Sequence, residues 1–184
     1  APYLCAGQID PRVTDPTNPR TETMNGVYFN PYSTYNPPLR ADGATPFPDA
    51  DFAAAYDNGI TKHWPTVNSG TVTTTRNLGT TTIFCGNSAG YWQYKDTAPL
   101  VTDVNGRITN TTALYTASNW EWVTLPVAQR QNFANWYQYY HTRSMAARSA
   151  FSRAAANFDD SIRVAWQNFN SNNIVAATAI YKFV

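Results

Sequence analysis

Few side chains in this sequence can do chemistry. Two histidines, His63 and His141, two cysteines, Cys5 and Cys85, and 12 acidic residues are spread over 184 positions. Neither histidine stands in a Gly-x-Ser-x-Gly context or beside a cysteine, so no nucleophile is offered for either to activate. His141 is expected on a helix surface. The cysteines form no C-x-x-C pair and lack metal-ligand spacing from a histidine. The sharpest catalytic pattern is Trp120-Glu121-Trp122: a buried acid of raised pKa between indoles is how a glycosidase faces a sugar, but no second carboxylate is identifiable. Its plainer reading is a strand or loop that buries one or both tryptophans beside an exposed glutamate. Asp103-Val104-Asn105-Gly106 opens like a calcium loop, yet Leu114 falls where the closing acid belongs, so the run reads as a turn. Asp49 and Asp51 lie near prolines, as solvated turn residues do. No catalytic residue, metal ligand or cofactor is assigned.

Composition narrows the classes. Charged residues make up 14% and aromatics 15% of the chain, a balance suited to contact through aromatic and amide side chains in an extracellular setting. The net charge is +1 and the 13 basic residues are scattered, which argues against nucleic-acid binding. No stretch approaches the roughly 18 apolar residues of a membrane span. In a secreted protein Cys5 and Cys85 form a possible disulfide, whose long loop is worth roughly 4–5 kcal/mol of chain entropy; the other reading is two buried free thiols. The chain begins at Ala1 without a methionine or signal peptide, which fits a processed chain or a fragment.

The elements that must position these residues fall into two parts. Residues 1–124 are irregular with some β structure. Asp10-Pro11, Asp15-Pro16, Asn18-Pro19 and Pro37-Pro38 oppose helix in the first 48 residues. Thr71–Thr75 and Thr80–Phe84 read as a hairpin around Asn77-Leu78-Gly79, and Ile108–Tyr115 as a strand after a turn at Asn105-Gly106. At Thr124-Leu125-Pro126 a capping hydroxyl and a proline open one long amphipathic helix over 125–158. Phe133, Trp136, Tyr137, Tyr140, Ser144, Ala147, Phe151, Ala154 and Phe158 give it one largely apolar face, and its alanines admit a close, broad partner such as a sheet. Ile162–Trp166 and Ile174–Val184 read as strands. The expected fold class is α/β or α+β in one compact unit, with 1–124 as an insertion and 125–184 as a helix-strand layer.

Two blocks carry a family resemblance. Tyr28-Phe29-Asn30-Pro31, Tyr35-Asn36-Pro37-Pro38, Ala41-Asp42-Gly43 and Phe47-Pro48 resemble the PilY/PilC-type tip adhesins of bacterial type IV pili. Asn132-Phe133-Ala134-Asn135-Trp136-Tyr137, Tyr139-Tyr140, Thr142-Arg143 and then Arg163-Val164-Ala165 resemble the same family's approach to the first helix and next strand of a von Willebrand factor A-like domain. The resemblance covers roughly 25–59 and 129–168. It implies an interior part of such a domain, with its first strand and metal loop upstream of Ala1, because Asp-x-Ser-x-Ser is absent and Asp159-Asp160-Ser161 has neither the spacing nor the position. It also implies a non-enzymatic adhesin acting in pilus assembly, twitching motility and attachment, outside the cell at the pilus tip or bacterial surface. Its partners would be minor pilins or the rest of the adhesin, and a host-cell or abiotic surface. Tyr28, Tyr32, Tyr35, Trp92 and Trp120 are the candidate contact residues, since Tyr and Trp suit hot spots. The rival reading is a secreted carbohydrate-binding module or glycosidase built on Trp120, Glu121 and Trp122.

Overall fold

In the computed structural model, residues 26–40, 42–60, 74–80, 89–95, 97, 99–114 and 116–158 are described, together with the strand backbones 163–164 and 181–182. Cys5, Cys85, His63 and Asp159-Asp160 lie outside the described residues. The fold is mixed α/β with small sheets, each a two-stranded antiparallel pair: β1 (Ala55–Tyr56) with β2 (Thr75–Arg76), β3 (Gly90–Tyr94) with β4 (Trp120–Thr124), and β5 (Arg163–Val164) with β6 (Tyr181–Lys182). The helices are α1 (Thr111–Leu114), α2 (Arg130–Tyr139) and α3 (Arg143–Ala155).

The expected single helix over 125–158 is two helices. Thr124 closes β4, the Leu125 N–H donates to Ala89, and Val127–Gln129 forms a 3-10 turn before α2 begins. Tyr140 leaves helical geometry at φ −133°, and extended Thr142 starts a new helix by accepting the Met145 N–H on its hydroxyl at 3.2 Å. The carbonyls freed at the end of α2 find partners within the break. His141 Nδ1–H donates to the Tyr137 carbonyl and Ser149 Oγ to the Tyr139 carbonyl at 2.8 Å. His141 is therefore buried, against the expectation of a helix surface. The break also turns the predicted apolar stripe: Phe133, Trp136 and Tyr137 are buried, whereas Ser144, Ala147, Phe151 and Ala154 face solvent. In their place α3 buries Met145, Ser149 and Ala155.

Two strand expectations shift as well. Thr75–Arg76 pairs with Ala55–Tyr56, and Thr80 is bonded back to Asn77 in a turn, while 71–73 and 81–84 lie outside the described residues. Within 108–115 only a bridge from Ile108 to Thr102 is extended, and Thr111–Leu114 is helical. The turn between them is as expected, with Gly106 at φ 77° and Asp103 Oδ1 accepting the Asn105 and Arg107 N–H groups.

The main core is aromatic and forms around α2. Phe29 meets Phe133 edge-on at 4.9 Å and Trp136 at 5.8 Å, and Tyr28 meets Trp136 at 5.1 Å. Edge-to-face pairs of this kind contribute about 0.5–1.5 kcal/mol each beyond area burial. Leu78, Ala55, Tyr91 and Leu125 complete the cluster. A second cluster of Phe47, Ile60, Tyr139 and Met145 lies at the junction of α2 and α3. Gly59 lets the chain pass over α2, because a Cβ there would sit 2.2 Å from Gln138 Cγ.

Candidate binding surface

Helix α2 organises the surface by hydrogen bonding to the main chain of residues 27–57. That segment is rich in proline and turn residues, and its few repeating elements leave many N–H and C=O groups to be satisfied from elsewhere. Amide side chains supply much of this. Asn132 Oδ1 accepts the Tyr35 N–H and its Nδ2 donates to the Ser33 carbonyl, both at 2.7 Å. Asn135 Oδ1 accepts the Ala50 N–H at 2.8 Å, and Nδ2 donates to Asp49 Oδ1 at 2.9 Å. Gln131 donates to the Ala50 carbonyl, and Gln138 accepts the Tyr56 N–H at 3.0 Å.

The aromatic tips extend the same ladder. Trp136 Nε1–H donates to Val27, Tyr139 OH to Pro48 and Tyr140 OH to Asn36. From α3, Ser152 Oγ accepts the Leu39 N–H and Arg153 donates to the Pro37 carbonyl. These amides were not singled out in the sequence. The available signal was Asn132, Asn135 and Gln138 at steps of three inside a buried helix.

The ladder displays a loop at Asn30–Tyr35. Asn30 Oδ1 accepts the Tyr32 N–H at 2.8 Å, its carbonyl accepts the Ser33 N–H, and its own N–H donates to Tyr35 Oη. The expected contact aromatics therefore separate. Tyr32, at the tip, is 83% exposed, whereas Tyr28 is 4% exposed and belongs to the core. Tyr35 is half-buried, edge-on to Tyr140 at 5.2 Å. Tyr91, beneath the loop, has its pKa pushed up by burial and by the neighbouring Tyr32.

The β3–β4 pair forms a second aromatic surface. Trp92 stands directly across from Trp122, with ring centres 5.5 Å apart, and Tyr94 across from Trp120 at 5.1 Å. Trp120 is buried, and its indole N–H donates to the Leu114 carbonyl at 2.8 Å. Trp92 is half-buried, and its indole nitrogen has no hydrogen-bond partner among the described residues. Glu121 is exposed and alternates to the face opposite Trp120 and Trp122, so the two indoles do not enclose its carboxyl.

The remaining titratable groups hold structure. Asp57 Oδ1 accepts Tyr137 OH at 2.6 Å and Arg76 Nε at 2.8 Å. Burial raises the Asp57 pKa, but these bonds and the Arg76 charge together bring it below the ordinary carboxylate value. The His141 ring stacks flat on Tyr137 at 4.6 Å, and burial pushes its pKa below 6.5. Asp42, in the turn closed by Gly43 at φ 67°, is lowered to about 2 by hydrogen bonds from Thr45 and Ala44. Asp49 and Asp51 accept from Asn135 and the Ala53 N–H, respectively. Among the described residues, no three His, Cys, Asp or Glu side chains come together as a metal site. None of the described helices is long and apolar enough to cross a membrane.

The chain is 29% identical over 174 residues to the type IV pilus biogenesis factor PilY1 of Pseudomonas aeruginosa strain PAK. It is similar to PilY1 over most of its length. The match takes in 83% of this chain and 13% of that protein. PilY1 of strain PAO1 is 28% identical over 162 residues, and PilY1 of strain UCBPP-PA14 is 26% identical over 175 residues. The chain thus spans 13–14% of the length of these PilY1 relatives. No protein-family model matches it. No solved structure matches it either.

Proposed function

We propose that this chain is a segment of a type IV pilus-tip adhesin that acts in pilus assembly, twitching motility and attachment to host cells or abiotic surfaces. The observation that carries the reading is the pairing of its two family-like blocks. Residues 25–59 and 129–168 are far apart in sequence, yet the amide and aromatic ladder of α2 holds the first against the second. Similarity to PilY1 across 83% of the chain supports the same reading. Within it, residues 125–184 are an interior helix-strand part of a von Willebrand factor A-like domain, and 1–124 are an insertion.

Such a segment acts by binding and has no catalytic role. Tyr32 and the Trp92–Trp122 pair are its contact residues, since a rigid aromatic presented on a braced loop or strand loses little entropy on binding. Minor pilins or the rest of the adhesin are the partners on one side, and a host or abiotic surface on the other. The location is the pilus tip or cell surface.

The test is made in the full-length parent. Tyr32→Ala and Trp92→Ala are expected to lower attachment while sheared-pilus yield stays normal. Normal attachment, twitching and piliation in a strain lacking residues 26–158 would sink the reading.

A further inference from the structure

The outward face of α3 is an interaction surface that the core does not use. Its buried side is Met145, Ser149 and Ala155, held to α2 through Ser149 Oγ and the Tyr139 carbonyl. On the opposite side Ala147, Ala150, Phe151 and Ala154 are all exposed, and they follow the i, i+3, i+4, i+7 spacing of one helical stripe. Phe151 alone is 47% exposed. At 100° per residue, Arg148 falls on one flank of the stripe and Arg153 on the other. With Arg143, the helix carries arginines and no acidic residue, and the ion pair formed among the described residues, Arg76 with Asp57, is elsewhere.

We propose that this face docks an amphipathic α-helix of a protein partner, with an apolar ridge flanked by aspartate or glutamate. Three alanines form a shallow seam that lets a second helix approach closely, at an interaxial distance of about 8 Å. Phe151 fills the gap between ridges on the partner, and the flanking arginines meet acids placed beside its apolar positions. An anionic membrane is the weaker fit, because insertion scales with buried apolar area and this stripe has one large side chain. The inference rests on the α3 surface alone and stands or falls independently of the pilus reading.

The whole chain is titrated with a synthetic helical peptide repeating Leu and Ala on one face and Glu beside it. The same peptide with Lys for Glu, and phosphatidylglycerol vesicles, are titrated in parallel. Saturable binding of the Glu peptide is expected, weakened roughly tenfold or more by Phe151→Asp or Arg148→Glu and retained in Arg148→Lys. Both replaced side chains are exposed, and melting curves check that the variants stay folded. No binding of the Glu peptide, equal binding of the Lys peptide, or full affinity in folded Phe151→Asp overturns the proposal. Vesicle binding abolished by Phe151→Asp, without Glu-peptide binding, overturns it in favour of a membrane surface.

Discussion

Asn135 accepts the main-chain N–H of Ala50 on its side-chain oxygen at 2.8 Å, across a separation of 85 residues. The same amide donates to Asp49 and receives Gln131, so one buried side chain fixes the backbone of the first block to the helix of the second. Truncation leaves the Ala50 N–H buried without that partner. Asn135→Ala is expected to cost about 1–3 kcal/mol, read as a lower urea midpoint with unchanged slope. An unchanged midpoint would show that the ladder holds nothing.

The two exposed-looking aromatics of the first block should respond oppositely. Phe29 is 1% exposed at the centre of the ring cluster, and Tyr32 is 83% exposed three residues on. Phe29→Ala is expected to cost about 3–5 kcal/mol, and Tyr32→Ala to stay within about 0.5 kcal/mol. Thermal denaturation of both variants decides it.

Gly59 and Gly106 are glycines for different reasons. Gly59 passes so close to α2 that a methyl would strike Gln138 Cγ, whereas Gly106 needs its positive φ but has open space around it. Gly59→Ala is expected to push Gln138 from the Tyr56 N–H and raise hydrogen exchange at that amide. Gly106→Ala should cost about 1–2 kcal/mol of local strain and leave Tyr56 protected.

Acidification should loosen the α2–α3 junction through His141. Its pKa is lowered by burial, so the folded chain prefers the neutral ring. The stability this contributes is complete above the unfolded value of 6.5 and declines as pH falls below it, until the folded pKa is reached. Denaturation midpoints between about pH 7.5 and 5 should fall in the wild type, and fall less in His141→Gln. Asp42 acts at lower pH. Its contribution is present above 3.8 and lost as pH drops toward about 2, which an NMR titration of its carboxyl would follow.

Local chemistry made part of this fold legible. Asn105-Gly106 specified its turn, Phe133, Trp136 and Tyr137 specified a buried helical face, and alternation marked 120–124 and 163–164 as strand. Each of these depends on neighbours within a few positions. The break at Tyr140–Thr142 was hidden because apolar spacing continued through it, and Thr142 becomes a cap only once His141 and Ser149 satisfy the freed carbonyls.

Burial of individual aromatics was a matter of partners rather than pattern. Tyr28 and Tyr32 read alike in sequence, and only the position of Trp136 beside one and solvent beside the other distinguishes them. By itself the sequence determined the aromatic and amide stock, the turn points and the helix-forming runs. The tertiary structure alone decided that the amides of α2 bind a distant backbone, that Glu121 parts from its tryptophans, and that the second half of the apolar stripe faces outward. A side chain's environment is set by long-range packing, which residue spacing along one element does not encode.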